Sequence, residues 1–172
     1  IHQGILTIVG NLDNTSDAVK NFAKSIMTTD THPKWRNSSS GQASLLGVAK
    51  GSGMIEPNMA TMLSFLVTDA NIEAARLQDI LKHAVDASFN RISIDTDTST
   101  SDTVVILANG MAGKVNETDF ENKLTSICQE LARDLVRDGE GVTKLIELNI
   151  TGAHSSKMAA SIGKSIINSP LI

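Results

Sequence analysis

Tyrosine is absent from this chain, and one tryptophan with four phenylalanines brings the aromatic share to 3%. So few stacking platforms, together with a formal net charge of -4 and a pI near 5.5, argue against binding nucleic-acid bases or phosphate backbones. Cysteine is nearly missing as well. Cys128 alone cannot close an internal disulfide, and its spacing among apolar neighbours makes it a core residue of a reducing compartment. No apolar run approaches the roughly 20 residues needed to span a bilayer. The histidines His2, His32, His83 and His154 lack metal-ligand spacing, which disfavours a zinc site, and His83 reads as solvent-facing on a helix. What is present is a chain 41% hydrophobic with a mean hydropathy of -0.02, enough for one globular domain with a sizeable core. It opens on Ile1 rather than methionine, so it reads as a piece of a longer protein, and the lack of a targeting segment says nothing about its address.

The apolar pattern alternates between strand and helix periods. Strands are expected at residues 6–9, 43–49, 61–68, 92–95, 103–108 and 145–151, with 61–68 buried on both faces because Met62, Leu63, Phe65, Leu66 and Val67 leave little alternation. Residues 14–17, NTSD, can cap a helix carrying Val19, Phe22, Ala23, Ile26 and Met27, and Pro33 lies beyond its end. Two further amphipathic helices are expected, one through Leu77, Ile80, Leu81, Ala84 and Val85. The other is capped by Thr118, runs through Phe120, Leu124, Ile127, Cys128, Leu131 and Leu135, and ends at Gly139. Ser155 or Ser156 caps a last helix through Ile162 and Ile166, and residues 36–42, RNSSSGQ, read as a polar surface loop. The class is α/β: a layered, mixed sheet-and-helix fold in one partial domain, residues 1–172, with no linker and no internal repeat.

Chemistry concentrates in KGSGMIEPNMATML, residues 50–63. Two glycines and a proline make a tight turn that leads through Ala60 into Thr61 and the apolar run behind it. A threonine hydroxyl is a weak nucleophile without an adjacent base, and one solution is the threonine's own α-amine, freed by cutting the preceding peptide bond. On spacing alone the plainer reading is preferred: Thr61 opens a strand after a turn. Lys50 can bind a carboxylate or sit as a solvated surface lysine. Glu140, between two glycines at a helix end, can bind an ammonium or steer a proton, or be an exposed loop carboxylate. The run IDTDTSTSD, residues 94–102, clusters oxygens around Asp95, Asp97, Ser99 and Asp102. It fails the calcium-loop pattern, with Thr100 where glycine belongs and Ile106 where the bidentate glutamate belongs. That loop is read as structural.

Residues 50–63 closely resemble the self-processing site of the ornithine acetyltransferases, also called bifunctional glutamate N-acetyltransferases of arginine biosynthesis. MTTDTHPK at 27–34, SFNRISIDTDTSTSDTVVILANG at 88–110 and RDGEGVTKLIELNITGA at 137–153 agree with the family in the same order, so the resemblance covers nearly the whole chain. It departs at Thr96 and Ser101, where the family customarily has glycine and asparagine, and the 36–42 loop is shortened. The resemblance implies a precursor that cuts itself between Ala60 and Thr61, leaving 1–60 as the end of an α chain and 61–172 as the first part of a β chain. Thr61 would carry the acetyl group from N-acetylornithine to glutamate, and Thr28, Lys50, Thr61 and Glu140 would contact substrate, with Thr29 the alternative register for Thr28. It implies no metal and no obligatory cofactor, acetyl-CoA remaining open as an alternative donor, and a heterotetramer of α and β chains. The implied location is the cytoplasm, or a mitochondrion or plastid in a eukaryote. In the family the oxyanion-hole Thr-Gly pair lies upstream of Ile1 and further substrate contacts lie downstream of Ile172, so this stretch alone is expected to be inactive. The competing readings are a related self-cleaving aminopeptidase or amidohydrolase, which usually presents serine at this position, and a non-catalytic scaffold domain in which KGSG is only a turn.

Overall fold

A computed structural model describes residues 1–53, 62–96 and 101–172. Its centre is a four-stranded mixed sheet in the order β1 (Lys34–Ser40), β2 (Ala43–Lys50), β3 (Leu63–Asn71), β4 (Thr103–Lys114). The first three strands are antiparallel neighbours, and β4 joins β3 in parallel after a crossover. The polar stretch expected to be a loop is therefore most of β1. Its backbone pairs with β2 from Lys34↔Ala49 to Ser40↔Ala43 around the two-residue turn Gly41–Gln42. An edge strand tolerates polar side chains when each finds a partner. Ser40 donates to Asp119 at 2.6 Å, and Arg36 pairs with Glu130 at 3.0 Å and with Asp134.

Two helices cover one face of the sheet. α3 (Ala74–Asp86) forms the crossover between β3 and β4 and buries Leu77, Ile80, Leu81 and Ala84. α4 (Glu117–Arg137) lies over β1 and β2 and buries Phe120, Leu124, Ile127, Cys128, Leu131 and Leu135 against Leu45, Leu66 and Ala70. Its cap is Asn116, whose side chain accepts the Asp119 N–H at 3.0 Å, and not Thr118; starting there puts Glu117 and Asp119 in the first turn, where the helix dipole favours acids. α4 can lie this close only because Gly47 has no side chain. A Cβ there would stand 2.8 Å from Ile127, 2.9 Å from Leu131 and 2.9 Å from Leu66. Burial pushes the Cys128 thiol up to about 12, as expected for a core cysteine.

The opposite face carries Leu46, Val48, Phe65 and Val67, and α2 (Ser16–Ser25) covers part of it by setting Phe22 edge-on to Phe65 at 5.5 Å. β3 consequently alternates, with Leu66 fully buried and Val67 40% exposed, and is not buried on both faces. α2 starts within the expected capping stretch 14–17, at Thr15, whose side chain accepts from Ala18 N–H. Residues 6–9 belong to α1 (His2–Val9) instead of a strand: among the described residues no strand pairs with them, and an unpaired segment satisfies its backbone internally only as helix. Residues 92–95 and 145–151 are likewise not strands. The first follows a single 3-10 turn, Phe89–Arg91, and the second runs unpaired along a recess of about 520 Å³ between α4 and α5 (Ser156–Ile167). α5 is capped by Ser155, which accepts from Met158 N–H at 3.1 Å. Among the described residues no helix is long and apolar enough to cross a membrane.

Candidate active site

Three backbone segments meet where β2 ends: the exit from α2, the turn at 51–53, and the residues after α4. Lys50 is the last residue of β2, buried, and paired across the sheet with Leu63, two residues after Thr61 in the chain. Its ammonium donates to Thr28 Oγ1 at 3.3 Å. Thr29 also faces the turn, with its hydroxyl 2.5 Å from that of Ser52. Both threonines therefore reach the end of β2, and Thr28 is the one on the lysine. Glu140 donates its backbone N–H to the Ser52 carbonyl at 2.6 Å, and its carboxylate lies over Gly53, where Oε2 would be 3.1 Å from an added Cβ. The Asp95 carboxylate borders the same glycine. Thr28, Lys50 and Glu140, far apart in sequence, thus converge on one turn. Ala60 and Thr61 lie outside the described residues, as do Asp97, Ser99 and Thr100 of the acidic loop.

A buried ionic knot holds the three segments together. Lys34, whose side chain is fully buried, donates to Asp30 at 2.6 Å and to Asp138 at 2.5 Å. Asp30 also accepts the Gly51 N–H at 2.7 Å and the Thr28 N–H at 3.2 Å. Asp138 accepts the Thr31 N–H at 3.0 Å together with the Thr31 hydroxyl, and pairs with His32 at 3.2 Å. Each carboxylate sits within two residues of a site residue: Asp30 after Thr28, Asp138 before Glu140. Gly51 turns with φ of 148°, a conformation that favours glycine, so that its N–H reaches Asp30. Burial pushes both acids toward neutrality, but the Gly51 N–H and Lys34 at Asp30, and Lys34 and Thr31 at Asp138, outweigh it and hold both below the ordinary carboxylate range.

Sequence reasoning missed this knot. Asp30 and Lys34 stand in the recognised TTDTHPK stretch and Asp138 in RDGEG, but nothing in one sequence pairs residues 107 apart, as Thr31 and Asp138 are. It also misjudged Asp102, weighed only as a cation ligand and then set aside as structural. Asp102 is 8% exposed and accepts the Met62 N–H at 2.5 Å through Oδ1. Among the described residues its Oδ2 has no hydrogen-bond partner. Burial raises this carboxyl to about 6, against the opposing pull of the Met62 N–H and of the Lys50 charge. No group of three or more His, Cys, Asp or Glu side chains among the described residues is placed to hold a metal ion.

A mixed sheet that gathers a buried lysine, two threonine hydroxyls and a glutamate at one strand end defines an α/β protein with charges of both signs at that end. Comparison with known proteins makes the assignment specific. The chain belongs to the ArgJ family, whose sequence pattern matches residues 1–172. It is 59% identical over 151 residues to the arginine biosynthesis bifunctional protein ArgJ 2 of Clostridium acetobutylicum, covering 88% of this chain and 39% of that protein. With the glutamate N-acetyltransferase of Methanocaldococcus jannaschii it shares 46% identity over 173 residues, 95% of this chain and 43% of that protein. The crystal structure of the arginine biosynthesis bifunctional protein ArgJ from Bacillus halodurans is similar with a TM-score of 0.61 and 43% identity, over 64% of this chain and 55% of that one. The chain thus spans well under half the length of these two curated relatives.

Proposed function

We propose that this chain is part of an acetyltransferase that moves acetyl from N-acetylornithine to glutamate in arginine biosynthesis, with Thr61 as the acceptor of the acetyl group. The observation that carries the reading is the convergence of Thr28, Lys50 and Glu140 on the turn that precedes Thr61 in the chain. Relatives named as bifunctional ArgJ proteins and glutamate N-acetyltransferases support it. In the first step the Thr61 hydroxyl attacks the Ala60 carbonyl, the acyl group shifts from nitrogen to oxygen, and water cleaves the ester. This leaves an α chain ending at Ala60 and a β chain beginning with a free Thr61 α-amine. That amine takes the proton of the Thr61 hydroxyl as the oxygen attacks the acetyl carbonyl of N-acetylornithine, then returns it to the departing ornithine amine. Glutamate enters, loses a proton from its amine to the same base, and removes the acetyl group. Lys50 attracts the substrate carboxylate and Glu140 an ammonium, so one pocket serves both amino acids. No metal or cofactor enters this scheme, acetyl-CoA is an alternative donor for the same acyl-enzyme, and α and β chains assemble as a heterotetramer in the cytoplasm or, in a eukaryote, an organelle.

Steady-state assays of the full-length protein with N-acetylornithine and glutamate test the scheme. Parallel double-reciprocal lines are expected for wild type, residual activity for Thr61→Ser and none for Thr61→Ala. Normal turnover by the alanine variant overturns it.

A further inference from the structure

We infer that Asp30 is a positioning residue for substrate binding: its two oxygens fix Thr28, which Lys50 touches, and Gly51, which follows Lys50, while Lys34 neutralises its charge and leaves Lys50 to take a substrate carboxylate. The inference rests on the proposed role of Lys50. Asp30 itself is not placed to touch substrate, because its side chain is 0% exposed and both of its oxygens are occupied. Oδ2 accepts the Thr28 N–H at 3.2 Å, and Thr28 Oγ1 is the group that accepts from the Lys50 ammonium at 3.3 Å. Oδ1 accepts the Gly51 N–H at 2.7 Å, which fixes the peptide joining Lys50 to Gly51. One carboxylate therefore sets both the backbone from which Lys50 springs and the hydroxyl on which its ammonium rests.

The two buried lysines at this end of the sheet differ in what they hold. Lys34, 1% exposed, has two carboxylates, Asp30 at 2.6 Å and Asp138 at 2.5 Å. Lys50, 6% exposed, bonds a neutral hydroxyl, and no ion pair among the described residues includes it. A buried ammonium without a counterion is costly, and an arriving carboxylate relieves that cost. The lysine stem is flexible, so the ammonium meets that carboxylate in one place only if something fixes it. Asp30 does so through Thr28 and Gly51, and because its charge is spent on Lys34 it holds the site without competing with the substrate for Lys50.

The test is a double-mutant cycle in the full-length protein: wild type, Asp30→Asn, Lys50→Met and the double variant, with kcat and KM for N-acetylornithine and glutamate after cleavage is checked by intact mass. Asparagine turns a donor toward either Thr28 N–H or Gly51 N–H, yet leaves Lys34 balanced by Asp138, so the fold should hold. Lys50→Met is expected to raise both KM values about 10- to 100-fold and Asp30→Asn about 10-fold, with kcat little changed in either. In the Lys50→Met background Asp30→Asn should add less than about twofold, since there is no longer an ammonium to position. Asp138→Asn makes the same change in charge but meets Thr31, His32 and Lys34 instead, and its effect should persist in full in that background. Unchanged constants for Asp30→Asn, or a loss that persists in full beside Lys50→Met, overturn the inference while leaving Lys50 as a substrate residue. Unchanged constants for Lys50→Met overturn both. Should Asp30→Asn not fold or not cleave, Asp30→Glu takes its place in the cycle, keeping the charge for Lys34 but shifting both oxygens by one methylene, with the same pattern expected. If neither variant yields folded, cleaved protein, Asp30 serves the fold rather than the lysine, and the inference is overturned.

Discussion

Replacing Lys34 by methionine keeps most of the buried stem but strands two carboxylates, those of Asp30 and Asp138, whose side chains are 0% and 2% exposed. Removing one partner of a buried pair ordinarily costs about 3–5 kcal/mol. Protonation limits the loss, because the two acids can share one proton once the lysine is gone. Taking up that proton from an unfolded-state pKa of about 3.9 costs roughly 1.4 kcal/mol per pH unit, hence about 4 kcal/mol at pH 7 and about 1.5 at pH 5. The sign of the pH dependence therefore reverses. In wild type both folded pKa values are lowered, so their stabilisation is present above the unfolded value and is lost as pH falls through the folded one. In Lys34→Met one folded pKa is raised, and stability should fall as pH rises from about 4. Urea melts of the full-length protein at pH 5 and pH 7 measure both quantities. A loss under about 1 kcal/mol at pH 7, or the same loss at both pH values, refutes the view that a buried charge knot holds the site.

Gly47→Ala should cost about 1–3 kcal/mol by overpacking α4 against β2, since the new methyl meets Ile127, Leu131 and Leu66 at 2.8–2.9 Å; a neutral thermal melt would show that α4 yields freely. Thr96 is, among the described residues, the one non-glycine with positive φ, at 63°, and it occupies the position where the resembled family customarily has glycine. Thr96→Gly should raise stability by about 0.5–1 kcal/mol, the relief of left-handed strain less the added entropy of the unfolded chain, and a lowered melting temperature would contradict this. Lys50→Met and Glu140→Gln should each weaken kcat/KM for both amino acids by about 1.5–3 kcal/mol without blocking cleavage, and unchanged constants would make them bystanders.

Helices were legible wherever an amphipathic stripe met a cap, as in α2 at Thr15 and α5 at Ser155, because both signals are local. Strands were legible only where apolar runs happened to have partners. Residues 6–9 and 145–151 carry the same kind of run without a ladder, while RNSSS became a strand because β2 and the acids of α4 satisfy it. Thr28, Lys50 and Glu140 could be named from motifs, yet their meeting depends on Lys34, Asp30 and Asp138, a contact spanning 104 residues that no local pattern encodes. Asp102 was obscured by its company: among so many hydroxyls and acids, one buried carboxylate looks like any other until its neighbours are known.

In the proposed function Thr61 becomes an N-terminal nucleophile and carries the acetyl group. Intact and peptide mass analysis of the full-length protein, incubated with N-acetylornithine and no glutamate, tests it directly. Two chains separated between Ala60 and Thr61 are expected, with one acetyl group on the peptide that begins with Thr61, discharged when glutamate is added. An uncut protein that still transfers acetyl, or an acetyl adduct on any other residue, would contradict it.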